Sequence, residues 1–411
     1  MSVLVQKYGG TSLGTPERIR HVARRAVEAG DRVCVVASAM GDTTDELLGL
    51  AGQVSPTPHA RELDMLLSAG EQISIALLSM AIIDLGRDAV SLTGAQAGIH
   101  TDTTHGRARI VDVRVDRVTQ ALDDGKVVIV AGFQGVSPSQ DTTTLGRGGS
   151  DTTAVALAAA LEADVCEIYT DVEGVFTADP RIVPEAVKRD RVSYEEMLEL
   201  AASGARVLAA RSVEYARNNT VPLHVRSAFA DTPGTWVQEE AGMEQAVISG
   251  IAHDTSEAKV TIRNVPDQPG IAASIFRPLA DASVNVDMIV QNVSAAGHTD
   301  VSFTVPKSDL ATTKPVLQQI ARAVGGDDVT TDEDVAKISL VGAGMKTHPG
   351  VAADMFDALA EAGINIEIIS TSTIRISVLI RAGDVERAVR AVHDRFRLAE
   401  PGVLEEAYGQ R

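Results

Sequence analysis

The first part of the chain alternates short apolar runs with longer amphipathic stretches. Pro16 is a favourable first residue for a helix, and the apolar stripe that follows it comprises Ile19, Val22, Ala23, Ala26 and Val27. A further helix is predicted over residues 151–161. Strands are predicted at residues 3–6, 33–37, 89–92, 127–131, 165–169 and 221–225. This alternation indicates an α/β fold with an open, mainly parallel sheet sandwiched by helices, whose ligands would lie at the carboxyl ends of the strands.

A long helix is predicted between the second and third of these strands. Its apolar face comprises Met65, Leu66, Ala69, Ile73, Ala76, Leu77 and Met80. Glu71 interrupts this otherwise apolar stretch. The usual reading of such a glutamate is a solvent-facing side chain.

A different pattern begins near residue 250, where the chain repeats itself at an offset of 80 residues. PGIAA at 269–273 recurs as PGVAA at 349–353, and NVD at 285–287 recurs as NIE at 365–367. Each copy predicts a βαββαβ order, the plan of a ferredoxin-like module. The domains predicted are therefore 1–240, a linker and strand over 241–258, a first module over 259–332 and a second over 333–411. A duplicated structural domain without a ligand is the plainer alternative.

Composition narrows the class of protein. The net charge of −19 disfavours binding to nucleic acid or to an anionic membrane surface. Cys34 and Cys166 lie in predicted strands and are expected to be reduced core residues, as in a cytosolic protein. The nine histidines show no metal-ligand spacing. We expect no signal segment, because the sequence opens on strand-like residues, and no membrane span, because no apolar run approaches about 18 residues.

Three glycine-rich or polar loops follow predicted strands. KYGGTS at 7–12 would let backbone approach a phosphate, although a strand-end lysine beside glycines is often structural. TLGRGGSDTT at 144–153 opens an alanine-rich helix, which favours anions, and the alternative is simply a well-capped helix. YTDVEGVFTADPR at 169–181 could hold a nucleotide and its metal, or form a surface turn.

Several phosphate-binding signatures are absent from the sequence. It has no G-x-x-x-x-G-K-[ST], no H-R-D and D-F-G set, and no G-x-G-x-x-G after the first strand. If ATP binds, a different phosphate cradle must hold it.

Taken in order, the motifs resemble those of the aspartate kinases in the amino-acid kinase superfamily, of the bacterial lysine- and threonine-sensitive type with two ACT domains. The motifs that carry the resemblance are KYGGTS at 7–12, SAMGDTTDEL at 38–47, LLSAGEQIS at 66–74, GFQG at 132–135, TTLGRGGSDTTAVALAAAL at 143–161 and YTDVEGVFTADPRIV at 169–183. The resemblance covers essentially the whole chain. It implies that 1–240 is the catalytic domain and that the repeat is a pair of ACT modules.

The resemblance also implies a reaction and its residues. L-aspartate and ATP would give 4-phospho-L-aspartate and ADP, with Mg²⁺ carried by ATP rather than held by protein side chains. Lys7, Asp151 and Arg147 would be catalytic. The residues implied for substrate are Ser38, Thr44, Glu71, Arg147, Gly148, Gly149 and Ser150, with Glu71 on the ammonium and Arg147 on a carboxylate. Those implied for the nucleotide are Lys7, Gly9, Gly10, Ser38, Thr170, Asp171, Phe176, Arg181 and Arg206.

The paired ACT modules imply control by lysine, threonine or both. The effector contacts implied are Asp267, Asn285, Val286, Asp287, Gln291, Asn292, Asn365, Ile366 and Ser372. A homo-oligomer is expected, or an α2β2 assembly whose small subunit starts internally at Met243. Four residues depart from the family pattern, namely Phe176, Arg206, Pro278 and Thr373; we hypothesise that the last two alter the effector response.

Two other functions stay open at this point. One is a superfamily kinase acting on acetylglutamate, glutamate, carbamate or a nucleotide, against which the duplicated sensor argues. The other is a non-catalytic amino-acid sensor with an inactive kinase domain, against which Lys7, Arg147 and Asp151 argue.

Overall fold

A computed structural model describes residues 3–239, 248–292, 297–346, 348 and 350–400. The chain divides into two compact units. The first comprises Met1–Val175, Lys188–Ala201 and Arg206–Met243. The second comprises Phe176–Val187, Ala202–Ala205 and Glu244–Arg411. Met243, the expected internal start, lies outside the described residues.

The first unit is built on twelve strands and nine helices among its described residues. The strands are β1 Leu4–Tyr8, β2 Val33–Ala37, β3 Ala89–Leu92, β4 Ile99–Thr101, β5 Ile110–Val113, β6 Val127–Ala131, β7 Gln134–Val136, β8 Thr142–Thr144, β9 Val165–Thr170, β10 Arg191–Ser193, β11 Leu223–Ser227 and β12 Thr235–Gln238. The helices are α1 Gly10–Leu13, α2 Pro16–Glu28, α3 Thr43–Val54, α4 Ala60–Leu67, α5 Ala69–Asp84, α6 Asp116–Asp123, α7 Gly149–Ala160, α8 Tyr194–Ala202 and α9 Ala210–Asn219, the last residue of α8 falling in the second unit.

An eight-stranded sheet forms the centre of this unit, in the order β10-β12-β11-β9-β1-β2-β6-β3. The six strands from β11 to β3 run parallel, and β12 is antiparallel to β11. A smaller sheet has the order β5-β4-β7-β8. The predicted α/β fold with a mainly parallel sheet is confirmed, and every strand predicted in this region is present within two residues at each end.

Apolar side chains of α2 and α5 pack on one face of the large sheet. Ile19, Val22, Ala23 and Ala26 are buried, as the stripe on α2 predicts. Helix α7 packs on β1, β2 and β9, and ten of its twelve residues are buried, from Gly149 to Ala158. The predicted buried strands carry Cys34 and Cys166, both fully buried.

The predicted apolar face of the long helix is wrong. The helix divides at Ser68 into α4 and α5, and Met80, on the predicted face, is 60% exposed, with Met65, Ile73 and Leu77 also exposed. The buried face instead carries Gly70, Glu71, Ser74, Ile75, Leu78, Ser79 and Ile82. Both faces are apolar, so hydrophobic periodicity could not distinguish them.

The stretch Ala60–Asp84 is also long and apolar enough to cross a membrane by length and composition, with a mean hydropathy of 1.7 over its best window. Half of that window is buried inside the protein, and core helices pass the same test. The expectation that no apolar stretch reaches this length is therefore wrong, while the burial of Ile75, Leu78 and Ile82 against the sheet makes this a core helix.

The second unit contains eight strands and four α-helices among its described residues. The strands are β13 Gly250–Asp254, β14 Glu257–Pro266, β15 Ile289–Gln291, β16 His298–Pro306, β17 Val329–Asp332, β18 Val335–Val341, β19 Ile368–Thr371 and β20 Arg375–Arg381. The helices are α10 Ile271–Asp281, α11 Leu310–Val324, α12 Val351–Glu361 and α13 Val385–Arg395, with short 3₁₀ turns at Lys307–Asp309, Ala343–Lys346 and Ala382–Asp384. Pro278 lies inside α10.

These elements form two four-stranded sheets of the same design, each covered by two helices. The first sheet has the order β15-β16-β14-β17, and its six elements follow one another in the βαββαβ order. The second has the order β13-β18-β20-β19. Its edge strand β13 precedes the first module in the chain, so part of the stretch predicted as a linker and strand over 241–258 belongs to the second module.

Ion pairs join the two modules, each between a lysine of one module and a carboxylate of the other. Lys259 Nζ of the first module lies 2.6 Å from Glu367 Oε2 of the second. Lys337 Nζ of the second lies 2.5 Å from Asp287 Oδ2 and 2.9 Å from Glu257 Oε1 of the first. Asp287 and Glu367 correspond to each other at the 80-residue offset. The two carboxylates therefore follow the internal symmetry of the repeat, whereas Lys259 and Lys337 are 78 positions apart and do not share this offset.

Candidate active site

The parallel strands β1, β2, β6 and β9 end at one edge of the large sheet, and the predicted motifs follow these ends. Lys7 is the next-to-last residue of β1, in register with Val36 of β2 and Ile168 of β9. Its Nζ lies 2.7 Å from Oδ1 of Asp151, in the first turn of α7. Two residues separated by more than a hundred positions in the sequence thus form one ion pair at this edge.

The turn after β1 requires glycine for steric reasons. A Cβ on Gly10 would lie 2.8 Å from the carbonyl oxygen of Ala39, too close for any side chain. A Cβ on Gly9 would lie 3.5 Å from Lys7 Nζ. The backbone N–H of Ser38 donates to the carbonyl of Tyr8, at 3.1 Å, so the ends of β1 and β2 stay together. Main chain can therefore approach a ligand closely beside the Lys7 ammonium.

The loop before α7 reaches the same edge through two left-handed glycines. Gly146 and Gly148 have φ of 77° and 69°. A Cβ on Gly148 would lie 2.2 Å from Cβ of Ala209. Ser150 and Asp151 are buried in the first turn of the helix that follows. A twelve-residue helix with a short polar start offers free N–H groups to an anion.

Glu71 lies on the buried face of α5 and not in solvent. It is 3% exposed, and its Oε1 accepts a hydrogen bond of 3.2 Å from the backbone N–H of Ala39, next to Ser38. Its Oε2 is buried and has no hydrogen-bond partner in the described part of the chain. Burial raises the pKa of the Glu71 carboxyl to about 7, although backbone hydrogen bonds from Glu71 and Ala39 oppose the shift. A buried carboxylate oxygen without a partner suits a cationic ligand group.

Arg147 and Thr44 complete the residues expected to bind the substrate. Arg147 is exposed between the two left-handed glycines. Among the described residues no hydrogen bond or ion pair holds its guanidinium. Thr44 is half-buried in the first turn of α3.

The residues expected to hold the nucleotide are divided between the two units. Thr170 ends β9, and its hydroxyl donates to Asp171 Oδ1 at 3.0 Å. Arg206 is exposed and begins the last segment of the first unit. Phe176 and Arg181 instead belong to the second unit, where Arg181 pairs with Asp179 at 2.7 Å. The structure brings Lys7 and Asp151 into contact, but it does not place Phe176 or Arg181 in the first unit.

The predicted effector residues lie in corresponding connections of the two modules. In the first module Asp267 follows β14, residues 285–287 precede β15, and Gln291 and Asn292 lie at its end. In the second module Asn365 and Ile366 precede β19, and Ser372 follows it, next to the exposed Thr373. Most of these side chains are exposed, while Asp287 pairs with Lys337.

Sequence reasoning missed three residues that shape this site. Phe133 has a φ of 66°, rare for an aromatic residue, and its carbonyl accepts a hydrogen bond of 2.8 Å from the N–H of Leu145. Asp64 accepts a hydrogen bond from the N–H of Gly106, and the Arg211 guanidinium donates to the carbonyl of Leu145. Both contacts fix backbone that lies beside Gly146. The GFQG motif marked the position of Phe133, but nothing local in the sequence marks Asp64 or Arg211.

Models of two known families match parts of the chain. The amino acid kinase family model matches residues 2–227, and an ACT domain model matches residues 260–319 and 338–396. Aspartokinase from Corynebacterium efficiens is 58% identical over 407 residues, covering 97% of each chain. Aspartokinase from Mycobacterium tuberculosis is 56% identical, again over 97% of each chain.

Two solved structures are similar over nearly the whole chain. E. coli aspartokinase III in complex with aspartate and ADP (R-state) has a TM-score of 0.84 at 25% identity, covering 96% of this chain and 100% of that one. The same enzyme in complex with lysine and aspartate (T-state) has a TM-score of 0.73, also at 25% identity, covering 95% and 99%. The chain therefore belongs to the amino acid kinase family and, within it, to the aspartokinases.

Proposed function

We propose that this enzyme transfers the γ-phosphoryl group of ATP to the β-carboxylate of L-aspartate, giving 4-phospho-L-aspartate and ADP. The observation that carries the proposal is the contact of Lys7 with Asp151 at the sheet edge, beside glycine turns that leave main chain accessible. The reaction would be the first step toward lysine, threonine and methionine, and would take place in the cytosol.

The main obstacle to this reaction is electrostatic. A carboxylate is already a nucleophile at pH 7, so no strong general base is needed, but two anions must meet. The Lys7 ammonium and the start of α7 offer positive charge where the phosphates would lie, and Asp151 holds Lys7 in place. Mg²⁺, carried on the ATP phosphates, would supply further charge neutralisation. Asp171, exposed at the end of β9, is an oxygen donor of the type this ion prefers.

Recognition of the amino acid needs one anion and one cation. We assign the substrate ammonium to the unpartnered Oε2 of Glu71 and a substrate carboxylate to Arg147. Ser38, Thr44, Gly148, Gly149 and Ser150 would line this part of the site. Thr170, Asp171 and Arg206 of the first unit would contact the nucleotide together with Gly9 and Gly10.

The direct test is ADP release with L-aspartate, L-glutamate, N-acetyl-L-glutamate and carbamate as separate acceptors. We expect turnover with L-aspartate that exceeds the other three by at least tenfold. Turnover with one of the others instead would assign a different kinase of the superfamily, and none at all would point to a non-catalytic sensor.

The first prediction concerns the pH dependence of substrate capture. Because the pKa of Glu71 is about 7, its carboxyl is neutral below that pH and cannot pair with the substrate ammonium. We expect kcat/KM for L-aspartate to rise as pH increases through about 7, since this parameter follows ionisation of the free enzyme. Glu71→Gln should abolish that inflection and lower kcat/KM at pH 8 about 10- to 100-fold, through loss of a charged hydrogen bond.

Glu62→Gln provides the control for this measurement. Glu62 is an exposed glutamate on the neighbouring helix α4, paired with Arg61. Its variant should keep both the inflection and the rate. An inflection that persists unchanged in Glu71→Gln would show that another group is responsible.

We further propose that end-product amino acids bind the ACT modules and shift the enzyme toward a less active arrangement. The predicted contacts, Asp267, residues 285–287, Gln291 and Asn292, and in the second copy Asn365, Ile366 and Ser372, occupy matching connections of the two sheets. An effector must bind one arrangement better than the other to act in this way. Titration of the aspartate reaction with lysine, threonine and both together tests it, and analytical ultracentrifugation tests the proposed oligomer.

A further inference from the structure

The glycine-rich loop that carries Arg147 is fixed by a buried carboxylate from another helix. Asp64, on α4, is 1% exposed and lies about eighty positions before this loop. Its Oδ1 accepts a hydrogen bond of 2.5 Å from the hydroxyl of Thr144, the last residue of β8. Thr144 precedes Arg147 by three residues.

The same carboxylate holds a second loop on which the first one rests. His105 Nδ1 lies 2.7 Å from Asp64 Oδ2, and the N–H of Gly106 donates to both carboxylate oxygens at 3.1 Å. A Cβ on Gly146, next to Arg147, would lie 3.1 Å from the carbonyl oxygen of Gly106. Asp64 therefore fixes both loops near the point where Gly146 of one packs against Gly106 of the other.

Arg211, on α9, also holds the two loops. Its guanidinium donates to the carbonyl of Leu145 at 3.0 Å and to that of Ala108 at 2.9 Å. The N–H of Ala108 in turn donates to the carbonyl of Thr144 at 2.9 Å. The Arg147 guanidinium itself has no such partner in the described part of the chain, so its position depends on the backbone that Asp64 and Arg211 hold.

From this arrangement we propose that Asp64 is a positioning residue for recognition of the amino-acid substrate, acting through Arg147. The inference rests on the proposed function, in which Arg147 binds a substrate carboxylate. A buried carboxylate with four contacts loses an acceptor when it becomes an amide, because the NH₂ group can only donate. Displacement of Arg147 by even about 1 Å is enough to weaken capture of the substrate substantially.

The test compares Asp64→Asn and Thr144→Val with the wild-type enzyme. Each should raise KM for L-aspartate about tenfold or more, with a smaller change in kcat and an unchanged KM for ATP. Thr144→Ser keeps the hydroxyl and should behave like wild type. Thermal unfolding of each variant identifies a loss of fold, and Thr144→Val keeps the test open if Asp64→Asn does not fold.

The decisive comparison is made in an Arg147→Ala background. If Asp64 acts through Arg147, adding Asp64→Asn to Arg147→Ala should leave KM for L-aspartate where Arg147→Ala alone puts it. The same multiplicative rise in both backgrounds, or an equal rise in KM for ATP, would overturn the inference. A wild-type enzyme without turnover on L-aspartate would instead refute the proposed function, so the two failures are distinguishable.

Discussion

Lys7→Met is expected to lower kcat for phosphorylation of L-aspartate by about 10²- to 10³-fold, the effect of removing one preorganised electrostatic donor. The Lys7 ammonium is held by Asp151 at 2.7 Å, so its charge is in place before substrates bind and need not be reorganised during the reaction. Methionine keeps most of the side-chain volume but supplies no charge. Steady-state ADP release under saturating ATP and L-aspartate measures the change in kcat.

A matched control separates this effect from a change in surface charge. Lys126→Met removes a half-buried lysine just before β6, at the opposite end of that strand from the site, where its ammonium pairs with Asp124. Its kcat should stay within twofold of wild type, in keeping with the small contribution of exposed ion pairs. Because Lys7→Met also leaves the Asp151 carboxylate without its partner, Lys7→Met with Asp151→Asn should recover thermal stability without recovering kcat. If Lys7→Met alone retained wild-type kcat, Lys7 would have no catalytic role in the proposed mechanism.

The parallel sheet was predictable because each strand is a short buried run with a turn signal at its end. β2, β3 and β6 have the predicted bounds, and the carboxyl ends of parallel strands must lie at one edge. That rule alone places Lys7 near the other strand-end motifs. The position of its partner Asp151 is also predictable, because the glycine-rich loop leads to this edge and Asp151 lies in the first turn of the helix that follows the loop.

Two features of the fold depended on information that local patterns do not contain. Helix α5 is apolar on both sides, and the face carrying Gly70 and Glu71 is buried because Gly70 allows close approach to Ala39, where a Cβ would lie 2.8 Å away. Strand β13 completes the sheet of the second module although the first module separates them in the chain. Comparing the two copies at a constant offset cannot show this, because β13 lies outside both copies of the repeat.

The residues that support the site could not be predicted either, because local sequence patterns do not show contacts between distant parts of the chain. Asp64 and Arg211 act on the loop of Arg147 from helices that are distant in sequence, so no spacing links them to it. Phe133 lies in the GFQG motif, but its left-handed backbone and its close packing against Gly149, where a Cβ would lie 2.9 Å from the Phe133 ring, are not visible in that motif. Sequence motifs identified groups that would touch ligands, and the structure adds those that hold them.

Lys337→Met is expected to destabilise the second unit by about 3–5 kcal/mol, the usual effect of removing one partner from a buried ion cluster. The Lys337 side chain is 1% exposed and contacts both Glu257 and Asp287. Its loss leaves Glu257 largely buried without a counter-charge. Because the whole chain has two units and need not unfold in one step, hydrogen exchange of the amides in β14 and β18 at increasing urea is the appropriate measurement.

A second lysine that pairs between the modules supplies the control. Lys259 is 25% exposed in its side chain, and its partner Glu367 is also held by Arg381 at 2.9 Å. Lys259→Met therefore leaves no unpaired carboxylate, and we expect a loss of about 1 kcal/mol or less. Equal losses in the two variants would contradict the argument that burial of the Lys337 cluster makes the difference.

The pH dependence of this difference follows from the pKa of Lys337. Burial alone would lower that pKa, but the Glu257 and Asp287 carboxylates raise it above the usual value of 10.5. A lysine pKa that is raised by folding contributes stability that is complete below its unfolded pKa and is lost as pH rises through the folded one. The gap between wild type and Lys337→Met should thus be constant between about pH 7 and 9 and should shrink only above about 10.5, because deprotonation then removes the same charge that the substitution removes.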